Sequence, residues 1–240
     1  MCGRFTQAVP WSAVWAFSQP LVLAVPDEPL QPRYNIAPTQ SAWVIAGDGR
    51  GGAKVGTMRW GLIPHWTKEL KAGLATFNAR IESAATKPTF RQSFERRHCL
   101  VPASGYYEWV GEGKDKQPWY IHPVDAPLML FAGLWDRWVS PEGEALLSFT
   151  VLTDAADGEL TTLHDRRPVM LQPEQAATWL DAARWRDEPR DFGEPPALEW
   201  HPVGREVNNA RNDYDELIRP ASPDTATGAT DANDPQRQLP

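Results

Sequence analysis

Seven short runs constrain this chain more than any other feature: SAWVIAG, AKVGTMRW, HCLVPA, GYYEWV, PWYIHPV, LMLFAGLW and LLSFTVLT. Each is apolar or alternating, and Gly, Pro and Asp turns separate them, which is the pattern of strands. The stretch GEGKDKQP between Val110 and Trp119 reads as an exposed hairpin connection. Helical patterns are fewer: WSAVWAF, ARIESAA, PTFRQSFERR, DGELTTL, PEQAATWLDAA and YDELIR. Pro173 followed by Glu174 suits a helix start, because proline presets φ there and an acid meets the positive end of the helix dipole. There is no Walker loop or alternating βαβ series. The expected architecture is therefore α+β, a single domain with a mainly antiparallel, barrel-like β core flanked by short helices.

The chain's 240 residues, 42% hydrophobic, suffice to bury one sizeable core. The tail from Ser222 to Pro240 is poor in aliphatic residues and is expected to be disordered, leaving a domain over residues 1–221. Two cysteines, Cys2 and Cys99, make neither a disulfide framework nor a metal cluster, so no cofactor is expected and a reducing, cytoplasmic setting fits. The apolar patch from Val14 to Val25 is broken by Ser18, Gln19 and Pro20 and is too short to span a bilayer.

The net charge of −7 argues against a nucleic-acid partner only until its distribution is considered. Residues 181–240 carry 13 acids against 7 bases, whereas residues 1–180 are nearly balanced at 18 against 17. Between Arg50 and Arg97 ten Lys and Arg face three acids, with Trp60, Trp66, Phe77, Phe90 and Phe94 interleaved. Such a stretch suits phosphate contacts and base stacking, and equally a solvated face beside a core. Trp66, after GLIPH, stands out as the tryptophan on a projecting loop.

The chain opens MCGRFT, and removal of Met1 would give Cys2 a free α-amine beside its thiol. Roughly 10–20% of such an amine is neutral at pH 7, against under ~0.1% of a lysine. With an aldehyde it would form a Schiff base, which the thiol could close to a five-membered thiazolidine. Gly3 would let backbone approach a ligand, and Arg4 offers a fork for phosphate or carboxylate. An ordinary frayed terminus is the alternative.

In SGYYEWV, Tyr106, Glu108 and Val110 share one strand face and Tyr107 and Trp109 the other. A carboxyl among aromatics holds its proton and suits a general acid, although glutamate is also common on exposed faces. LHDRRPVML places His164 and Arg166 together as a proton shuttle beside a phosphate clamp. ATFNARIES supplies Asn78 and Arg80, with helix capping the alternative for Asn78. His65, His98, His122 and His201 show no coordinated spacing and read as structural. Cys99 reads as a small buried hydrophobe.

The segments MCGRF, RYNIAPTQ, WGLIPHW, FNARIES, KPTFRQSF, HCLVPASGYYEW, FAGLW, TVLT, LHDRRPVML and VNNARND, in this order, resemble the SOS response-associated peptidase (SRAP) family. They run from Met1 to about Asp213. The resemblance implies covalent trapping of abasic sites in single-stranded DNA, or at single-strand to double-strand junctions, by a thiazolidine on the exposed N-terminal cysteine. It implies a monomer that is cytoplasmic and nucleoid-associated when bound to DNA, with no membrane partner. Cys2 would be the nucleophile, Asn78 would position its amine and the sugar, Glu108 would act as acid and base, and His164 would assist proton transfer. Arg4, Arg80 and Arg166 would hold phosphates, while Asn35, Pro38, Trp66 and Thr153 lie in segments matched to the DNA channel. Removal of Met1 is the step behind the peptidase label. The family pattern H-x-R-M-P is H-D-R-R-P here, with Arg167 in place of methionine. An N-terminal-nucleophile amidotransferase, which also begins Met-Cys-Gly, and a non-covalent binder of damaged or modified DNA remain as alternatives.

Overall fold

The computed structural model describes residues 2–19, 21, 23–24, 30–47, 52–69, 76–113, 115–187 and 192–221. Met1, the tail from 222, and Arg50 and Lys71 of the basic stretch lie outside them. The chain runs β1 (Phe5–Gln7), α1 (Trp11–Phe17), β2 (Leu23–Ala24), β3 (Arg33–Ile36), β4 (Ser41–Gly47), β5 (Ala53–Trp60) and β6 (Asn78–Arg80). It continues through α2 (Ile81–Ala84), α3 (Arg91–Arg96), β7 (His98–Ala103), β8 (Gly105–Val110), β9 (Gln117–Pro123), β10 (Met129–Val139) and β11 (Ala145–Ala155). It ends with β12 (Arg166–Pro168), β13 (Met170–Leu171), α4 (Pro173–Leu180), α5 (Ala182–Asp187) and β14 (Leu198–Pro202).

Five strands close on themselves. β11 pairs with β10, β10 with β7, β7 with β4 and β4 with β5, all antiparallel, and β5 returns to β11 in parallel through Ser148 and Phe149. An odd number of strands cannot alternate direction all the way around a ring, so one parallel contact is obligatory. That contact engages only the first half of β11. Beyond it, β11 takes β6 in parallel at Val151–Thr153 and β12 antiparallel at Thr153–Ala155. Thr153 faces Arg80 and Pro168 at once, so the two short strands sit on opposite edges of β11.

A second sheet, β14-β9-β8-β1-β3, is antiparallel throughout. Strand alternation divides the interior in two. Leu100, Leu130 and Leu152 pack with Val14, Phe94, Ala176, Trp179 and Trp185 of the helices. Their neighbours Val101, Phe131 and Val151 pack with Phe5, Ile36, Tyr106 and Ile121 of the second sheet, and Cys2 belongs to this group. The α+β, barrel-cored architecture expected from the sequence is the observed one.

Two expected helices form no α-helix. DGELTTL and YDELIR each form one 3₁₀ turn, Gly158–Thr162 and Asp215–Ile218, because so few residues cannot offset helix nucleation without a packed face. Asn78 does not cap a helix: it opens β6, and the cap position of α2 falls on Arg80.

Gly105 begins β8 beneath Tyr120, and a Cβ there would lie 2.3 Å from the Tyr120 ring. The ring is held by its hydroxyl against Thr6 Oγ1 at 3.1 Å, so it has little room to withdraw. Gly105→Ala is expected to destabilise the fold by about 1–3 kcal/mol, read as a lower urea midpoint at unchanged slope.

Candidate active site

The register of β1 against β8 decides what surrounds the amino terminus. Phe5 faces Tyr106, and the Tyr107 N–H donates to the Arg4 carbonyl at 2.9 Å. The next residue of β8 on the Tyr106 face is Glu108, only 4% exposed. From the other side Asn78 Nδ2 donates to the Cys2 carbonyl at 2.6 Å, so β6 grips the residue that β1 and β8 deliver. The Asn78 Oδ1 is buried with no hydrogen-bond partner among the described residues.

Burial drives each titratable group here toward its neutral form. It pushes the Glu108 carboxyl up to about 7, and Asp165 raises it further. It pushes the Cys2 thiol up, and Glu108 adds to the effect. It lowers His164.

His164 precedes β12, and its Nδ1 accepts the Arg166 backbone N–H at 2.9 Å. The exposed Asp165 carboxylate lies 2.7 Å from the same Nδ1 and accepts from it in any form of the ring that carries a proton there.

The SOS response-associated peptidase (SRAP) family model matches residues 1–210. The chain belongs to this family. An abasic site processing protein of Bacillus subtilis, YoqW, is 35% identical over 227 residues, covering 91% of this chain and 99% of the relative. The Escherichia coli abasic site processing protein YedK is 32% identical over 228 residues, with 92% and 100% covered. The Xenopus tropicalis protein HMCES, named likewise, is 32% identical over 230 residues, with 78% and 66% covered. Among solved structures, a Bacteroides thetaiotaomicron protein superimposes with a TM-score of 0.74 at 24% identity, covering 92% of this chain and 100% of its own, and shows the fold. A phage-related protein of Bordetella bronchiseptica gives 0.63 at 31% identity, covering 84% and 94%.

Of the site residues that the SRAP pattern implies, Asn78 holds Cys2, Glu108 acts on the Cys2 thiol, and His164 lies beside Asp165, which acts on Glu108. The others divide by exposure. Trp66 is 57% exposed, Arg80 is exposed and Pro38 is half-buried. Asn35 and Thr153 are buried completely. Asn35 Nδ2 reaches the carbonyls of Val207, Asn209 and Asn212 within 3.2 Å, so it shapes the surface by holding that loop. Arg4 and Arg166, implied as phosphate clamps, are engaged by protein partners. Arg4 NH1 donates to Asn35 Oδ1 at 2.6 Å and to the Val207 carbonyl at 2.7 Å, with its guanidinium over Trp109. Arg166 spans both Glu82 carboxylate oxygens and the Thr153 carbonyl.

Glu82 and Asp136 are the residues that sequence reading passes over. Asp136, 1% exposed on β10, accepts the His65 backbone N–H at 2.9 Å, meets His65 Nδ1 at 3.0 Å and pairs with Arg97. It thereby fixes the loop that presents Trp66, while Trp138 Nε1 donates to the Thr67 carbonyl at 2.6 Å. No local spacing signals these pairings, because their members lie tens of residues apart. His98 is structural, as expected, with its ring nitrogens 2.7 Å from the Phe94 and Trp179 carbonyls. Among the described residues no group of three His, Cys, Asp or Glu is placed to hold a metal ion, and no helix is long and apolar enough to cross a membrane.

Glu108 binds its proton more tightly folded than unfolded, since its folded pKa is raised to about 7 from 4.5. The native chain therefore loses stability as pH rises across that window, by up to about 3 kcal/mol. Glu108→Gln removes the loss. The variant is expected to melt higher than the native chain at pH above 7, with the gap narrowing toward pH 4.5; a gap independent of pH would contradict it.

Proposed function

We propose that this protein traps abasic sites in single-stranded DNA as a covalent thiazolidine on Cys2, once Met1 has been removed. The observation that carries this is the grip of Asn78 Nδ2 on the Cys2 carbonyl, in a site where Glu108 acts on the Cys2 thiol. The shared name of the relatives, abasic site processing protein, supports the substrate class.

The chemistry follows from the protonation states. A buried thiol with a raised pKa is a poor first nucleophile. The α-amine is the stronger candidate, and it attacks the aldehyde of the ring-opened deoxyribose. Glu108, titrating near neutrality, protonates the departing hydroxyl of the carbinolamine, and water leaves. His164, whose burial favours the neutral ring, relays a proton. The thiol then adds to the imine carbon. Exposed Arg80 and Trp66 supply phosphate attraction and a stacking face for the flanking strand.

The test is incubation with a single-stranded oligonucleotide carrying one abasic site, followed by denaturing electrophoresis. A shifted band is expected from the native chain, and none from Cys2→Ala or from a chain with an extra residue kept before Cys2. Crosslinking that persists in Cys2→Ala defeats the mechanism. Glu108→Gln is expected to slow the reaction roughly 10²-fold without abolishing it. The native rate falls as pH rises above about 7, where Glu108 loses its proton, and the variant lacks that limb. Equal rates and equal profiles would remove Glu108 from the step.

A further inference from the structure

The strand that delivers Glu108 also delivers Tyr106 to the same face, two residues earlier. Tyr106 belongs to the same buried cluster as Cys2, and its ring stands edge-on to Phe131 with centroids 6.0 Å apart. The residue is 1% exposed, and its hydroxyl has no hydrogen-bond partner among the described residues. Its neighbours on the other packing layer differ: the Tyr107 hydroxyl donates to the Tyr34 carbonyl at 2.8 Å, and the Tyr120 hydroxyl lies 3.1 Å from Thr6 Oγ1. Burying a hydroxyl without a partner is unfavourable. A donor left unmet beside a reacting group is suited to a partner that forms only during the reaction.

We propose that the Tyr106 hydroxyl donates a hydrogen bond to the Cys2 sulfur as the thiazolidine ring closes, which makes Tyr106 a further catalytic residue. This rests on the crosslinking chemistry proposed above. In the closing step the π bond of the imine breaks, a carbon–sulfur bond forms, and the thiol proton ends on the former imine nitrogen. No oxidant or reductant enters. Negative charge develops on sulfur while the proton is in transit, in a pocket whose burial disfavours thiolate. A hydrogen bond from this O–H to the sulfur offsets the missing water. Burial and the neighbouring Cys2 and Glu108 hold the phenol protonated, so it serves as a donor and not a base. Arg167, the residue that departs from the family pattern, places a positive charge near the phenol and strengthens it as a donor.

The experiment compares native and Tyr106→Phe chains, each with Met1 removal verified by intact mass. Each reacts with single-stranded DNA bearing one abasic site, and aliquots are quenched with and without borohydride, which traps imine but leaves thiazolidine. Tyr106→Phe keeps the ring and gives up no hydrogen bond, so its melting temperature is expected to match or exceed the native one. Borohydride-trapped imine is expected to form within about twofold of the native rate. The share of crosslink that survives heat without borohydride is expected to fall roughly tenfold at early times, and its pH profile to move alkaline. Acetaldehyde gives a second readout free of DNA: the native adduct resists reduction, whereas the variant adduct is captured only by borohydride. An unchanged share and profile overturns the proposal, as does an equal loss of imine and ring. A native chain that forms no crosslink at all overturns the thiazolidine chemistry itself, and the Tyr106 role with it.

Discussion

The parallel contact between β5 and β11 is the constraint on which the rest of this structure depends. Five strands must close around one core, and an odd ring admits closure only with one like-directed pair. Placing that pair at Ser148 and Phe149 uses half of one edge of β11 and frees the remainder. The remainder of that edge binds β6, which carries Asn78, while β12, which carries Arg166, pairs with the opposite edge. The candidate site is thus partly built on the overhang of a barrel strand.

Burial supplies the chemistry. One pocket keeps the Cys2 thiol protonated, raises the Glu108 carboxyl toward neutrality and holds the His164 ring neutral. Under the proposed chemistry, a thiol held protonated leaves the first attack to the amine and sulfur closure to follow. The cost is borne by the fold, since a carboxyl that prefers its proton destabilises the native state above neutral pH. Charge elsewhere serves architecture. Arg166 with Glu82, and Asp136 with His65 and Arg97, clamp the segments that flank the site, the second holding the Trp66 loop.

The long strands were legible because their pattern is local. SAWVIAG, AKVGTMRW, HCLVPA and GYYEWV coincide with β4, β5, β7 and β8, and WSAVWAF with α1. The strands of two to five residues, β1, β2, β3, β6, β12, β13 and β14, were not legible. Their extended form comes from the partner across the ladder, and segments so short display no period. Site residues followed the same division. Glu108 announced itself as a carboxyl among aromatics. Glu82 and Asp136 gave no sign, because a salt bridge between distant segments has no local signature. The two arginines best placed by motif, Arg4 and Arg166, proved to be bound to Asn35 and Glu82.

By itself the sequence determined the kinds of element, the family, and the candidate groups at Cys2, Asn78, Glu108 and His164, because strand alternation and side-chain chemistry are properties of neighbouring residues. Only the tertiary structure decided the direction in which burial moves their titration and which polar groups remain unmet. Those depend on how much water is excluded and on which backbone groups arrive from elsewhere. Tyr106 is the clearest instance: one aromatic among many in the sequence, it becomes a buried, unmet hydroxyl in the same cluster as Cys2 once β1 and β8 are zipped together.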